Sequence, residues 1–105
     1  MRLVLDTSKV AFTVTKAPEP RKDYGKDQQK IDRDTGCPQW VVEVLAMDAE
    51  RGEVIRVTVA GDEPKVRQGQ PVALADLEAI AWTNNGKSGV AYRAATIQTA
   101  QAKAA

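Results

Sequence analysis

The chain has 105 residues, 43% hydrophobic and 28% charged, with a net charge of +1, a single cysteine and no histidine. That length holds one compact domain with one core, and the near-neutral charge gives no bulk signature of a polyanion partner. The missing histidine removes the commonest general base and the commonest zinc ligand, and a lone Cys37 can form neither an internal disulfide nor a Cys-His pair. Charge is unevenly spread along the chain. Residues 1–33 carry eight Lys/Arg against five Asp/Glu, residues 34–64 two against seven, and residues 65–105 five against two. Such a pattern folds either into a basic and an acidic face or into an ordinary mixed surface.

Met1-Arg2-Leu3-Val4-Leu5 is too short an apolar run for a signal peptide, and no stretch reaches the roughly 20 apolar residues of a membrane-spanning helix. With the single Cys37, these features lead us to expect a cytoplasmic protein. Lys9 to Lys16 alternates, with Val10, Phe12 and Val14 on one side, the period of a half-buried strand. Ala17-Pro18-Glu19-Pro20 is expected to end it, because proline donates no ladder hydrogen bond. The polar stretch that follows makes 17–38 a long loop, closed by a tight turn at Asp34-Thr35-Gly36. Gln39 to Met47 is apolar on both faces apart from Glu43, which puts it at the centre of a sheet. Asp48-Ala49-Glu50-Arg51-Gly52 reads as a hairpin turn with Gly52 at a positive φ. Glu53 to Ala60 returns, with Ile55, Val57 and Val59 facing in and Arg56 and Thr58 facing out.

Residues 61–70 are too short and broken for a helix, and Pro71 to Leu74 forms a short strand. Ala75 to Trp82 has helical propensity, yet Ile80 and Trp82 fit strand alternation equally well. Thr83 to Gly89 is a turn, Val90 to Ile97 the last strand, and residues 98–105 a flexible tail. Five short strands with one long loop and no convincing helix suggest an all-β fold, most simply a five-stranded OB-like barrel over residues 1–105 without the usual inter-strand helix. SH3-like barrels and sandwiches remain open.

Enzymatic and metal chemistry find little material, so neither catalysis nor a cofactor is expected. Asp23, Asp27, Asp32 and Asp34 share a loop but lack the spacing of a calcium site, and the interleaved lysines oppose one. Gly86-Lys87-Ser88 lacks the upstream glycine and the helix of a phosphate-binding loop. Binding has better material, because single-strand binders combine a basic groove with aromatic faces on which bases stack. Tyr24 lies between Lys22 and Lys26, Trp82 precedes Lys87, and Tyr92 adjoins Arg93. Trp40 shares a face with Val42 and Val44 and reads as core. Trp82 suits core or platform equally, and Tyr92 shares a face with the core candidates Val90 and Ala94. Arg93 points away from Tyr92, toward Glu43 or another acidic strand residue.

The motifs "TG-x-P-x-W" (Thr35 to Trp40) and "W-x(6)-G-x-x-Y-R-A" (Trp82 to Ala94) carry a resemblance over residues 10–97. The chain resembles small replication and regulatory proteins of actinobacterial plasmids and integrating elements. That resemblance implies an accessory role in a mobile element and no particular mechanism. The expectation is therefore a non-enzymatic, OB-like protein that binds single-stranded DNA during replication or transfer. Its groove would comprise Arg56, Trp82, Lys87, Tyr92 and Arg93, flanked by Lys22, Tyr24, Lys26 and Lys30. Trp82 and Tyr92 would stack on bases, and the cations would meet phosphates. The alternatives are a module that recruits a replication or transcription protein, and a regulator that dimerises through its Val-rich sheet.

Overall fold

The computed structural model describes residues 2–22, 28–33 and 35–99. Within them the chain is all-β, with eight strands and no helix: β1 (Arg2–Val4), β2 (Ala11–Pro20), β3 (Gln39–Met47), β4 (Gly52–Ala60), β5 (Pro71–Ala75), β6 (Glu78–Asn84), β7 (Lys87–Arg93) and β8 (Thr96–Thr99). They form one curled sheet in the order β1-β6-β7-β4-β3-β2-β5-β8. The expected count of five is thus exceeded by three.

The meander β2-β3-β4 is the heart of the sheet. β3 pairs with β4 along its whole length, from Gln39 opposite Ala60 to Met47 opposite Gly52, and its other edge pairs with β2. Burial follows the alternation. Val14, Val42, Val44 and Val57 are almost completely buried, and Phe12, Ile55, Val59, Val72, Leu74, Leu77 and Ile97 close the core around them. Each fully buried valine contributes about 1.5–3 kcal/mol, and β-branched side chains suit the pleated surface.

Several boundaries differ from the sequence expectation for identifiable reasons. β2 does not stop at Ala17; it runs through Pro18 to Pro20. Beyond Thr13 it no longer pairs with β5, and two register shifts against β3, at Val14/Lys16 and Lys16/Glu19, take up an extra residue each. Proline is tolerated at such a bulged, one-sided edge. Gly52 needs no positive φ, because the turn is closed by Asp48 Oδ1 accepting from the amides of Glu50 (2.8 Å) and Arg51 (2.9 Å). Space is tight there instead: a Cβ would stand 3.0 Å from Met47 Cγ and 3.2 Å from Leu45 Cδ1, so those side chains would have to shift by a few tenths of an ångström. The ambiguous 75–82 segment is strand on both sides of a break at Asp76, whose φ of 53° interrupts the ladder. The turn expected over 83–89 contracts to Asn85-Gly86, with φ of 51° and 76°, a two-residue hairpin connection.

The single last strand divides at Ala94-Ala95. Its first half, β7, pairs with β6 and with β4 in parallel at Val57/Tyr92 and Thr58/Arg93. Its second half, β8, crosses to β5 and passes beside the end of β4. Gln98 and Thr99 belong to β8 rather than to a tail; the rest of the expected tail lies outside the described residues. The connection 21–38 is partly paired: Lys22 bridges Gln29, Ile31 bridges Pro38, and Arg21 N donates to Gln39 O at 3.0 Å. No helix is long and apolar enough to cross a membrane among the described residues.

Candidate nucleic-acid interface

Register assigns each side chain to a face, because directly paired residues share one. On the outer face, Val41 is opposite Thr58 and Glu43 opposite Arg56. Thr58 is in turn beside Arg93, and Arg93, Ala91, Gly89 and Lys87 of β7 face Glu78, Ile80, Trp82 and Asn84 of β6. This face therefore runs from β3 and β4 onto the β6-β7 hairpin.

A cleft of about 380 Å³ opens on it. Its floor is Val41, Arg56 and Thr58; one wall is Glu19 to Lys22 at the end of β2, and the other is Val90 to Tyr92 of β7. Arg21 crosses the floor and its Nη1 donates to Thr58 Oγ1 at 2.7 Å. Arg21, Lys22 and Arg56 thus present three cations to one depression. The acidic lining residue, Glu19, is engaged by Lys16 Nζ at 2.9 Å. That hydrogen bond and the Lys16 charge hold the Glu19 carboxyl below its ordinary range, with a smaller contribution from Arg56.

The sequence-derived site is only partly assembled. Lys22, Arg56 and Tyr92 meet at the cleft. Trp82 is 45% exposed and lies over Gly89, one pair beyond Ala91 on the same face, and exposed Lys87 follows at the hairpin end. Tyr92 turns the other way: it pairs with Val57 and packs against the core. The two aromatic rings assigned to stacking therefore occupy opposite faces. Lys30 is half-buried, and its backbone joins Arg21 O and the Gln39 amide. Tyr24 and Lys26 lie outside the described residues, as do Asp23, Asp27 and Asp34. Trp40, expected in the core, is half-buried and donates its Nε1 proton to Gly61 O at 2.9 Å.

Arg93 pairs with Asp32 of the connection, at 2.9 Å, and lies opposite the strand carboxylate Glu78 in the β6-β7 ladder. Glu43 instead accepts from Thr15 Oγ1 at 2.9 Å. Asp32 is 3% exposed. Burial pushes its carboxyl upward, but hydrogen bonds from Thr35, Arg93 and Gln39 and the Arg93 charge outweigh that and hold it below the ordinary 3.8. Sequence reasoning missed Arg21, whose partner is 37 residues away. The available signal was its position directly after Pro20, next to Lys22. No cluster of three or more His, Cys, Asp or Glu side chains able to hold a metal occurs among the described residues. Comparison with protein families, curated proteins and solved structures finds no match to this chain.

Proposed function

We propose that the protein binds single-stranded DNA on the outer face of β3 and β4 and on the adjoining β6-β7 hairpin. The observation that carries this reading is the convergence of Arg21, Lys22 and Arg56 on one cleft, with exposed Trp82 on the same face beyond it. Phosphates would meet the cations and an unstacked base the indole, the two recurrent elements of single-strand recognition.

The fold supports the same reading. The meander β2-β3-β4, the return of β5 to β2 and the approach of β8 to β4 suit an OB-type barrel into which the β6-β7 hairpin is inserted. OB folds take oligonucleotides on the face of their second and third strands, between the loop joining the first two strands and the loop before the last. Here those positions correspond to β3 and β4, the connection 21–38 and the hairpin. The resemblance to plasmid and integrating-element proteins supplies the context: a non-enzymatic, cytoplasmic accessory factor in replication or transfer. A protein partner is the second reading, favoured by exposed Val54 on the same outward face.

Titration with oligo-dT at low and high salt, followed by tryptophan fluorescence, separates them. Quenching that disappears at high salt and is absent in Trp82→Phe supports DNA binding. No quenching and no anisotropy change with any labelled single strand at micromolar protein rejects it.

A further inference from the structure

Asp32 is the most unusual side chain outside the cleft lining. It belongs to the most polar stretch of the chain, yet it is 3% exposed. Its Oδ2 accepts from the Thr35 amide (3.2 Å) and Thr35 Oγ1 (3.0 Å), and its Oδ1 from Gln39 Nε2 (3.2 Å) and Arg93 Nη2 (2.9 Å). A buried carboxylate persists only when it is paired and hydrogen-bonded. The four donors come from three places: the turn at Thr35, the start of β3 and the end of β7.

One of those places, β7, is a wall of the cleft, and the connection that carries Asp32 and Thr35 begins at the other wall. The connection 21–38 supplies Arg21 and Lys22, and β7 supplies Val90 to Tyr92. Asp32 and Arg93 are the charged link between them. The link is coupled to Arg21 through a short backbone chain: Lys30 N donates to Arg21 O at 2.6 Å, Gln39 N to Lys30 O at 2.8 Å, and Arg21 N to Gln39 O at 3.0 Å. Arg93 also lies opposite Glu78 in the β6-β7 ladder, so its charge faces two carboxylates.

We infer that Asp32 and Arg93 are a positioning pair that fixes the spacing of Arg21 and Lys22 from the hairpin, and that Arg93 is not itself a phosphate ligand. The inference rests on the cleft being the DNA site. Its consequence opposes simple electrostatics. Removing a negative charge from the protein should strengthen its hold on a polyanion, whereas loss of positioning weakens it.

The test uses the full chain with labelled oligo-dT at several salt concentrations, in wild type, Asp32→Asn, Arg93→Lys and Arg93→Gln, alongside amide hydrogen exchange of each protein without DNA. Expected are a Kd raised roughly fivefold or more in all three variants, an unchanged salt slope, and faster exchange at Lys30 and Gly36. Equal or tighter binding by Asp32→Asn overturns the inference. So does wild-type affinity in Arg93→Lys, or, in the neutral variant Arg93→Gln, a salt slope shallower by about 0.7, the signature of one lost single-strand phosphate contact. If wild type binds no DNA, the site assignment fails, and unchanged exchange at Lys30 and Gly36 then separately rejects the link. Should Asp32→Asn not fold, Arg93→Lys, which keeps the charge, decides the outcome alone.

Discussion

The Trp82 indole lies directly against Gly89 across the β6-β7 ladder, so closely that a Cβ on Gly89 would stand 2.5 Å from Trp82 Cζ2 and 2.8 Å from Cε2. The absent side chain lets a large ring lie flat on an exposed hairpin. A flat, 45% exposed indole keeps one face for solvent or for a base. Neither residue alone would give that geometry.

Gly89→Ala tests the arrangement. The ring must leave the ladder, because no real Cβ contact is as short as the one the methyl group would make. The hairpin is exposed, so folding stability should change by less than about 1 kcal/mol. Oligo-dT affinity should lose the stacking contribution of about 1–3 kcal/mol, roughly 5- to 150-fold in Kd. Thermal melts and anisotropy titrations on the same samples separate the two effects.

Three cations at the cleft set the salt dependence. If Arg21, Lys22 and Arg56 each neutralise one phosphate, log K should fall against log salt with a slope of about −2, at roughly −0.7 per contact on a single strand. Arg56→Ala should flatten the slope by about 0.7. Lys65→Ala, on the far side of β4 beside the β8 cleft, should leave it unchanged. Equal slopes for wild type and Arg56→Ala would remove Arg56 from the site.

The central meander was readable in the sequence because its information is local. Period-two alternation marks Val10-Phe12-Val14 and Ile55-Val57-Val59, and a run apolar on both faces marks the doubly paired β3. Pro18 and Pro20 misled, because whether proline ends a strand depends on whether its edge is paired, a property of β5 and not of β2. The split of the last strand was hidden for the same reason: Val90 to Ile97 reads as one run, but its two halves have different partners. In the site, Arg56 could be placed from strand parity, whereas Trp82 suited core and platform equally until its strand partner was known. Arg21 with Thr58, and Asp32 with Arg93, could not be placed, since each pair joins residues 37 or more positions apart. A buried aspartate in a polar stretch has no local signature at all.

Asp32 also sets an acid limit. Its folded carboxyl titrates below 3.8, the value expected of the unfolded chain, so its ionised form stabilises the native state. That contribution is complete above the unfolded value and is lost as pH falls through the folded one. The melting temperature should therefore drop below about pH 4. Asp32→Asn should be less stable than wild type at pH 7 and should lose less on acidification. Melting curves from pH 7 down to pH 2.5 give the comparison; parallel profiles for the two proteins would exclude Asp32 as a contributor.

Val57 joins the core to the site. It is 0% exposed, pairs with Val42 on one side of β4 and with Tyr92 on the other, and together with Thr58 forms the parallel contact by which β7 joins the meander. Val57→Ala removes two methyl groups from a packed position and should cost about 1.5–3 kcal/mol. For a domain of this size each kcal/mol lowers the melting temperature by roughly 4–8 °C. Val54→Ala, at a position 53% exposed on the same strand, should stay within about 0.5 kcal/mol of wild type. Because β7 carries one wall of the cleft, Val57→Ala should also weaken oligo-dT binding well below its melting temperature. Its salt slope should be unchanged, since the cations remain and only their separation from the hairpin is altered.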